Sequence, residues 1–399
     1  MKSLRRQPEA RHAPHASPPF IVKASDASEA RPLAPPRWDW QAVGRVLVVR
    51  LRSIGDTVLA TPTLHALRRF LPGARIDILL EDWVAPLLEG SADVDRIVTV
   101  RRKSSASRFA VARELRAARY DVVFNLHGGS TAALLTRATG APHRVGYETY
   151  AYAALHNHVA PHPSTLWQKE RTHSVEQQLG LPGWTGIPVT DCPPTRLGVT
   201  AEADARVALR LQAAGLKEGE PFALVHPAAA FDSKTWAAAN FARVVEHLDA
   251  RGLRSIAVAG PGEEAVVGEV VKNARSPVVA FTDLALPEVT ALAARASLFV
   301  GNDSGVAHIA SAVSVPSVVV FGSSNIAHWR PWTRARAEVV REEMPCAPCP
   351  GYNCSEFEQP ECIRRVSAER VTAAVERVLG NSHRKESGVS ESGVLESGV

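Results

Sequence analysis

Short β-rich runs alternate with helical patterns in two successive series along this chain, and that alternation constrains the fold more than any other feature. In the first series the β-rich runs are residues 45–51, 75–80, 97–100 and 121–126. A helix is expected over 58–70, and amphipathic stretches such as 106–118 separate the other runs. The runs are apolar along their length rather than at every second position. Such strands are buried on both faces, which predicts a parallel sheet covered by helices. Residues 148–196, rich in Pro, His and Gly, break the rhythm and read as an interdomain linker with one helix, 172–179. The second series has strands at 222–226, 255–259, 278–280, 298–300 and 317–321. Helices are expected over 201–214, 236–250, 264–274, 287–296 and from Val306 onward. A last helix, 368–379, is expected to pack back on the first domain. The fold class is α/β: two Rossmann-like domains whose parallel sheets face a cleft.

The ends of the chain read differently. Residues 1–40 are rich in Pro, Ala, Ser and Arg without periodicity, and are expected to be a disordered arm. Residues 381–399 repeat Glu-Ser-Gly-Val and read as a disordered low-complexity tail. The folded part divides into 41–180, 195–345 and a closing piece, 346–380, with a Cys-rich segment and the last helix.

Composition excludes several classes. No apolar run reaches the roughly 18–20 residues that span a bilayer. The basic start at Arg5 and Arg6 has no apolar stretch after it, so a cytoplasmic location is expected. The net charge of +5 admits an acidic substrate or an anionic membrane surface. No Lys/Arg block interleaved with aromatics stands out, so nucleic acid is not expected, and no basic amphipathic helix is evident.

Two turns could hold an anion. Gly301-Asn302-Asp303-Ser304-Gly305-Val306-Ala307-His308 follows an apolar run and opens a helical pattern. Strand, small polar turn and helix place backbone N–H groups and the positive helix end against a phosphate. Arg52-Ser53-Ile54-Gly55-Asp56-Thr57 ends the first strand in the other half. Four of the five cysteines crowd together as Cys346, Cys349, Cys354 and Cys362. Ligand number and the first spacing suit a structural zinc or iron site; plain packed thiols are the equal alternative.

The stretch Val46 to Arg50 leading into Ser53-Ile54-Gly55-Asp56 and Thr61-Pro62 resembles the opening of family 9 glycosyltransferases, the lipopolysaccharide heptosyltransferases. His226-Pro227 with Lys234-Thr235-Trp236 is similar as well, as are Gly260-Pro261-Gly262-Glu263 and Gly301 to His308 with Pro316 and Phe321-Gly322. The resemblance runs from about Arg45 to Leu379. It implies the GT-B architecture, with an acceptor domain at 41–180 and a nucleotide-sugar domain at 195–345. It implies inverting transfer of heptose from ADP-heptose to a lipopolysaccharide core acceptor of the Kdo-lipid A type. The location implied is the cytoplasm, with peripheral contact at the inner face of the cytoplasmic membrane.

Under that resemblance Asp56 is the general base that takes a proton from the acceptor hydroxyl; a helix cap is the simpler alternative. Lys234 neutralises the departing diphosphate. Asp303, Ser304, Gly305 and His308 hold the diphosphate and donor sugar, and Glu263 accepts from the ribose, with Glu264 beside it as the alternative. Asn125 to Ser130 resembles the acceptor-side turn. Arg52, His127 and Arg144 are the acceptor-binding candidates, and Arg50 is a further basic group there. Ala228-Ala229-Ala230 stands where the family usually has a glycine. Asp93-Val94-Asp95 has the look of a metal-binding pair but precedes a first-domain strand, so no cofactor is expected for catalysis. Other readings are another nucleotide sugar, a protein acceptor, a nucleotide-sugar epimerase, or a binding protein without catalysis.

Overall fold

The structure is a computed structural model that describes residues 29–349 and 353–380. Twelve strands form two parallel six-stranded sheets. The first contains β1 (Arg45–Val49), β2 (Arg75–Glu81), β3 (Arg96–Val100), β4 (Val122–Asn125), β5 (His143–Tyr147) and β6 (His158–Ala160). Its order is β3-β2-β1-β4-β5-β6. The second contains β7 (Phe222–His226), β8 (Arg254–Val258), β9 (Val278–Phe281), β10 (Leu298–Asn302), β11 (Ser317–Phe321) and β12 (Ala337–Arg341). Its order, β12-β11-β10-β7-β8-β9, repeats the pattern of the first. In such sheets the strand order reverses at one point, and ligands bind outside the carboxyl ends of the strands there. Here those points lie between β1 and β4 and between β7 and β10.

The strands form because their side chains are apolar on both faces. Val46, Leu47, Val48 and Val49 are all fully buried, and so are Ala223, Leu224 and Val225. Even-numbered β1 residues pack with Leu64, Leu67 and Phe124 on one face, and odd-numbered ones with Val111, Leu115 and Val123 on the other. Burial of a side chain of this size stabilises by about 1.5–3 kcal/mol, so a polar residue at any of these positions would disrupt a sheet.

Three expectations are corrected. The arm ends earlier than residue 40: Leu33 N donates to the Gly183 carbonyl at 2.9 Å. Trp40 is buried, and its Nε1 donates to the Thr185 carbonyl at 2.9 Å. Leu33, Trp38 and Trp40 pack on the first-domain core, and large apolar side chains offered such cover leave water. Residues 1–28 and the Glu-Ser-Gly-Val tail lie outside the described residues. The last helix, Ala368–Leu379, packs on the second sheet, with Val371, Val375 and Val378 in one cluster with Val318, Val320 and Val340. The stretch 148–196 is more than a linker. It supplies β6, and its helix Ser174–Trp184 seats Val175 and Leu179 in the first-domain core.

The two halves touch through short helices at the strand ends. Ile54–Val58 follows β1, and Gly305–Ala312 follows β10. A Cβ added at Gly55 would lie 2.7 Å from His308 Cδ2, and one at Gly305 would lie 2.8 Å from the Ile54 Cβ. Each helix therefore offers a glycine where the other presses closest.

Candidate active site

Asp56 stands in the first turn of Ile54–Val58, just past β1. Ser53 is the N-cap, and Asp56 closes a capping box: its Oδ2 accepts from Ser53 N at 3.3 Å and from Ser53 Oγ at 3.1 Å. Its other oxygen meets the Arg50 guanidinium. Arg50 is itself held by the Leu126 carbonyl at 2.7 Å. The carboxylate is thus fixed by two elements and still lines a cavity of about 240 Å³. His127, Tyr150 and Gln177 line the same cavity from the first domain, and His328 and Trp329 reach it from the second. Aromatic faces with amide, imidazole and hydroxyl groups suit a sugar.

His127 and Asp56 line that cavity together. Burial, reinforced by the Arg50 cation, holds its imidazole down to about 4. It is a neutral hydrogen-bonding group at neutral pH, not a partner for carboxylates. Arg52 points elsewhere, 3.9 Å from Glu81, into a second cavity of about 220 Å³. Arg101, Arg102, Lys103 and Arg108 line it too, and sequence reasoning missed all four. Arg144 joins neither cavity. It stands at the amino end of β5, its guanidinium bound to the carbonyls of Ala141 at 2.5 Å and Leu155 at 3.4 Å. Three residues of strand, about 10 Å, separate it from the carboxyl ends where ligands bind.

On the second sheet Lys234 Nζ donates to Asp303 Oδ2 at 2.8 Å, and Ser324 Oγ donates to the same oxygen. Asp303 follows β10 and Lys234 follows β7, so the pair spans the point where the strand order reverses. Asp303 is buried and would repel a phosphate directly, so its geometry orients Lys234. Ser304 does not cap its own helix; its hydroxyl pairs with His226 Nδ1 at 3.1 Å. The first-turn N–H groups of Gly305–Ala312 therefore lack a side-chain cap, the arrangement that favours an anion.

His226 Nε2 lies 3.4 Å from Glu263 Oε2, and Gly260 N donates to that oxygen at 2.8 Å. The His226 contact, with the Gly260 bond, holds the Glu263 carboxyl below its ordinary range despite burial. Glu264 instead accepts from Gly262 N at 3.1 Å, so Glu263 is the carboxylate turned inward. His226 links it to Ser304, a connection hidden in sequence because 78 residues separate the two.

His308 is buried between the halves, and burial lowers its pKa against the opposing pull of Asp303 and Asp56. His143, His156, His158, His173 and His328 are lowered by burial as well. An unfolded histidine titrates near pH 6.5. Below that the unfolded chain binds protons that the folded chain refuses, so stability falls with falling pH. The contribution is fully present above about pH 6.5 and for His127 is lost down to about 4. We expect the melting temperature to drop by several degrees between about pH 7.5 and about pH 5. Calorimetry in matched buffers checks this; a flat profile refutes it.

The turn after β11 buttresses Lys234. Ser323 N donates to the Ser233 carbonyl at 3.1 Å, and the two serine hydroxyls lie 2.8 Å apart. A Cβ at Gly322 would lie 2.0 Å from the Ser233 oxygen, a backbone atom that cannot swing aside. Gly322→Ala should cost about 1–3 kcal/mol of stability and weaken nucleotide binding by displacing Lys234. Thermal melts and ADP titration read both effects.

Among the described residues, no group of three or more His, Cys, Asp or Glu side chains converges to hold a metal. Cys349 Sγ donates to the Cys346 carbonyl at 3.6 Å, and Cys362 is buried beside the second-sheet core. Burial raises both the Cys349 and Cys362 thiols, and the other cysteines of the segment add to the rise. The structural zinc or iron given as one alternative is without support among the described residues. Asp93 and Asp95 are spent on ion pairs with His65 and Arg68.

Two matched parallel sheets, each with its strand order reversing once and meeting through the helices at their strand ends, have the two-domain GT-B architecture. The profile described as glycosyltransferase family 9 (heptosyltransferase) matches residues 108–359. Lipopolysaccharide heptosyltransferase 3 of Escherichia coli is 30% identical over 306 residues, which span 71% of this chain and 85% of that protein. A family 9 glycosyltransferase structure from Veillonella parvula superposes with a TM-score of 0.74 at 22% identity, covering 86% of this chain and 98% of that one. An Escherichia coli heptosyltransferase with ADP-2-deoxy-2-fluoro heptose superposes at 0.63 with 22% identity, covering 84% and 99%. The chain belongs to glycosyltransferase family 9. Among the described residues no helix is long and apolar enough to cross a membrane.

Proposed function

We propose that this glycosyltransferase moves heptose from ADP-heptose to a lipopolysaccharide core acceptor, with inversion. The observation that carries the reading is the close packing of Ile54–Val58, which holds Asp56, on Gly305–Ala312, which follows Asp303, with Gly55 against His308 and Gly305 against Ile54. The acceptor hydroxyl enters the cavity beside Asp56, and its oxygen attacks the anomeric carbon as the bond to the diphosphate breaks. Asp56 takes the hydroxyl proton. Lys234 and the N-terminus of Gly305–Ala312 receive the charge that gathers on departing ADP. His127 and Gln177 orient the acceptor sugar, and Glu263 accepts from the ribose. Arg52 and its cationic neighbours face carboxylates or phosphates of the core, to which guanidinium forks are suited. No metal is needed for these steps.

The similarity to a lipopolysaccharide heptosyltransferase supports the sugar and the acceptor. A cytoplasmic site of action belongs to the same reading, because ADP-heptose and the growing core must meet on one side of the membrane. The test is calorimetric titration with ADP-heptose beside UDP- and GDP-sugars, followed by transfer to a deacylated core oligosaccharide. Binding of ADP-heptose alone, with transfer, is expected. Preference for another nucleotide sugar would overturn the donor, and turnover without an acceptor would point to an epimerase.

A further inference from the structure

Between Arg101 and Arg119 the chain carries seven Arg or Lys and a single carboxylate, Glu114. Glu114 is already paired with Arg96. The helix Ser105–Ala117 buries Val111 and Leu115 and turns Phe109, Arg113 and Arg116 outward, at the spacing that places residues on one face. Its neighbour Ser130–Ala138 buries Ala132, Ala133 and Leu135 and turns Leu134 and Arg137 outward. Phe109 is 68% exposed and Leu134 is 59% exposed. Each lies within three residues of a lining residue of the Arg52 cavity, Arg108 and Thr131. Trp83, 43% exposed, adjoins the same cavity, since its Nε1 donates to Glu81 Oε2 at 2.8 Å. Arg101, Arg102, Lys103, Arg108 and Arg113 have no ion-pair partner among the described residues. The basic amphipathic surface not evident in the sequence is thus assembled by two helices and a loop.

We infer that this face docks on an anionic lipid bilayer, with Phe109, Leu134 and Trp83 seated at the headgroup level and Arg113 and Arg137 against lipid phosphates. Clustered Lys and Arg around a few apolar anchors give binding that neither supplies alone. Leu134, which has no π-face for stacking on bases, distinguishes the face from a nucleic-acid surface. The inference deepens the acceptor reading above: a lipid-anchored acceptor lies in such a leaflet, and the Arg52 cavity opens beside the anchors.

The test is sedimentation of the full chain with phosphatidylcholine vesicles, with and without phosphatidylglycerol, at low and high salt. The protein should pellet with the anionic vesicles and be released by salt. Phe109→Ser with Leu134→Ser should weaken partitioning roughly tenfold, and Arg113→Ser with Arg137→Ser about thirtyfold, with melting temperatures unchanged. Transfer to a deacylated core should be normal in the first variant, and transfer to vesicle-embedded lipopolysaccharide reduced. Wild-type protein left in the supernatant, or variants that pellet equally, would overturn the inference. So would a variant that only converts a dimer to a monomer, or a face that binds RNA in preference to vesicles. Vesicle binding without transfer to any core would instead defeat the acceptor reading and leave this one standing.

Discussion

Asp56→Ala should lower kcat by roughly 10²–10⁴-fold, the usual worth of a positioned general base, while ADP binds as before. A sugar hydroxyl is a weak nucleophile at neutral pH, and Asp56 is the carboxylate that lines the cavity built from both halves. Arg50 and Ser53 hold it from two sides, so little reorganisation precedes proton transfer. The same carboxylate closes a capping box, so Ala also removes about 1 kcal/mol of helix stability. Asp56→Asn separates the two roles, because the amide oxygen can still accept from Ser53 but cannot take a proton. Loss of turnover in both variants identifies the base. Near-normal turnover in Asn would leave Asp56 as a cap.

Lys234→Ala should cost about 10²–10³-fold in kcat and weaken ADP-sugar binding as well. The departing diphosphate gains charge in the transition state, and a fixed cation there acts more strongly than on the ground state. Removing it also leaves Asp303, 5% exposed, without its 2.8 Å partner. A buried carboxylate left with the Ser324 hydroxyl but no cation adds repulsion toward a diphosphate. Asp303→Asn is the informative companion: it keeps Lys234 but loosens its aim, so kcat should fall while nucleotide affinity changes little. Equal turnover in Lys234→Ala and the wild type would remove the lysine from the chemistry.

Legibility in the sequence followed physical rules. Strands β1, β4, β7 and β11 were readable because each is a continuous apolar run buried on both faces. Strands β5, β6 and β12 were not. His143 to Tyr147 mixes His, Arg and Gly, and β6 has three residues. β6 and β12 are edge strands, which pair on one side only and need less apolar surface, whereas β5 lies between β4 and β6 and is hidden by its polar residues alone. The single helix expected over 58–70 is two, Ile54–Val58 with Ser53 as its cap and Thr61–Phe70 after it. The first of them holds Asp56 in its opening turn, beside Arg50.

By itself, the sequence determined the layers, the parallel sheets and the turns that carry the candidate site, since these follow from local periodicity and from residues a few positions apart. It also named Asp56, Lys234, Asp303 and Glu263 through motif resemblance. Only the tertiary structure decided which groups meet. His226 joining Ser304 to Glu263, His328 and Trp329 entering the first-domain cavity, and Arg144 turning away to backbone carbonyls all depend on contacts between distant segments. So does the cationic face, where a loop and two helices pool charges that the composition spreads to a net of +5. Local pattern records what each segment must bury; where the unburied groups point is set by the packing of segments against one another.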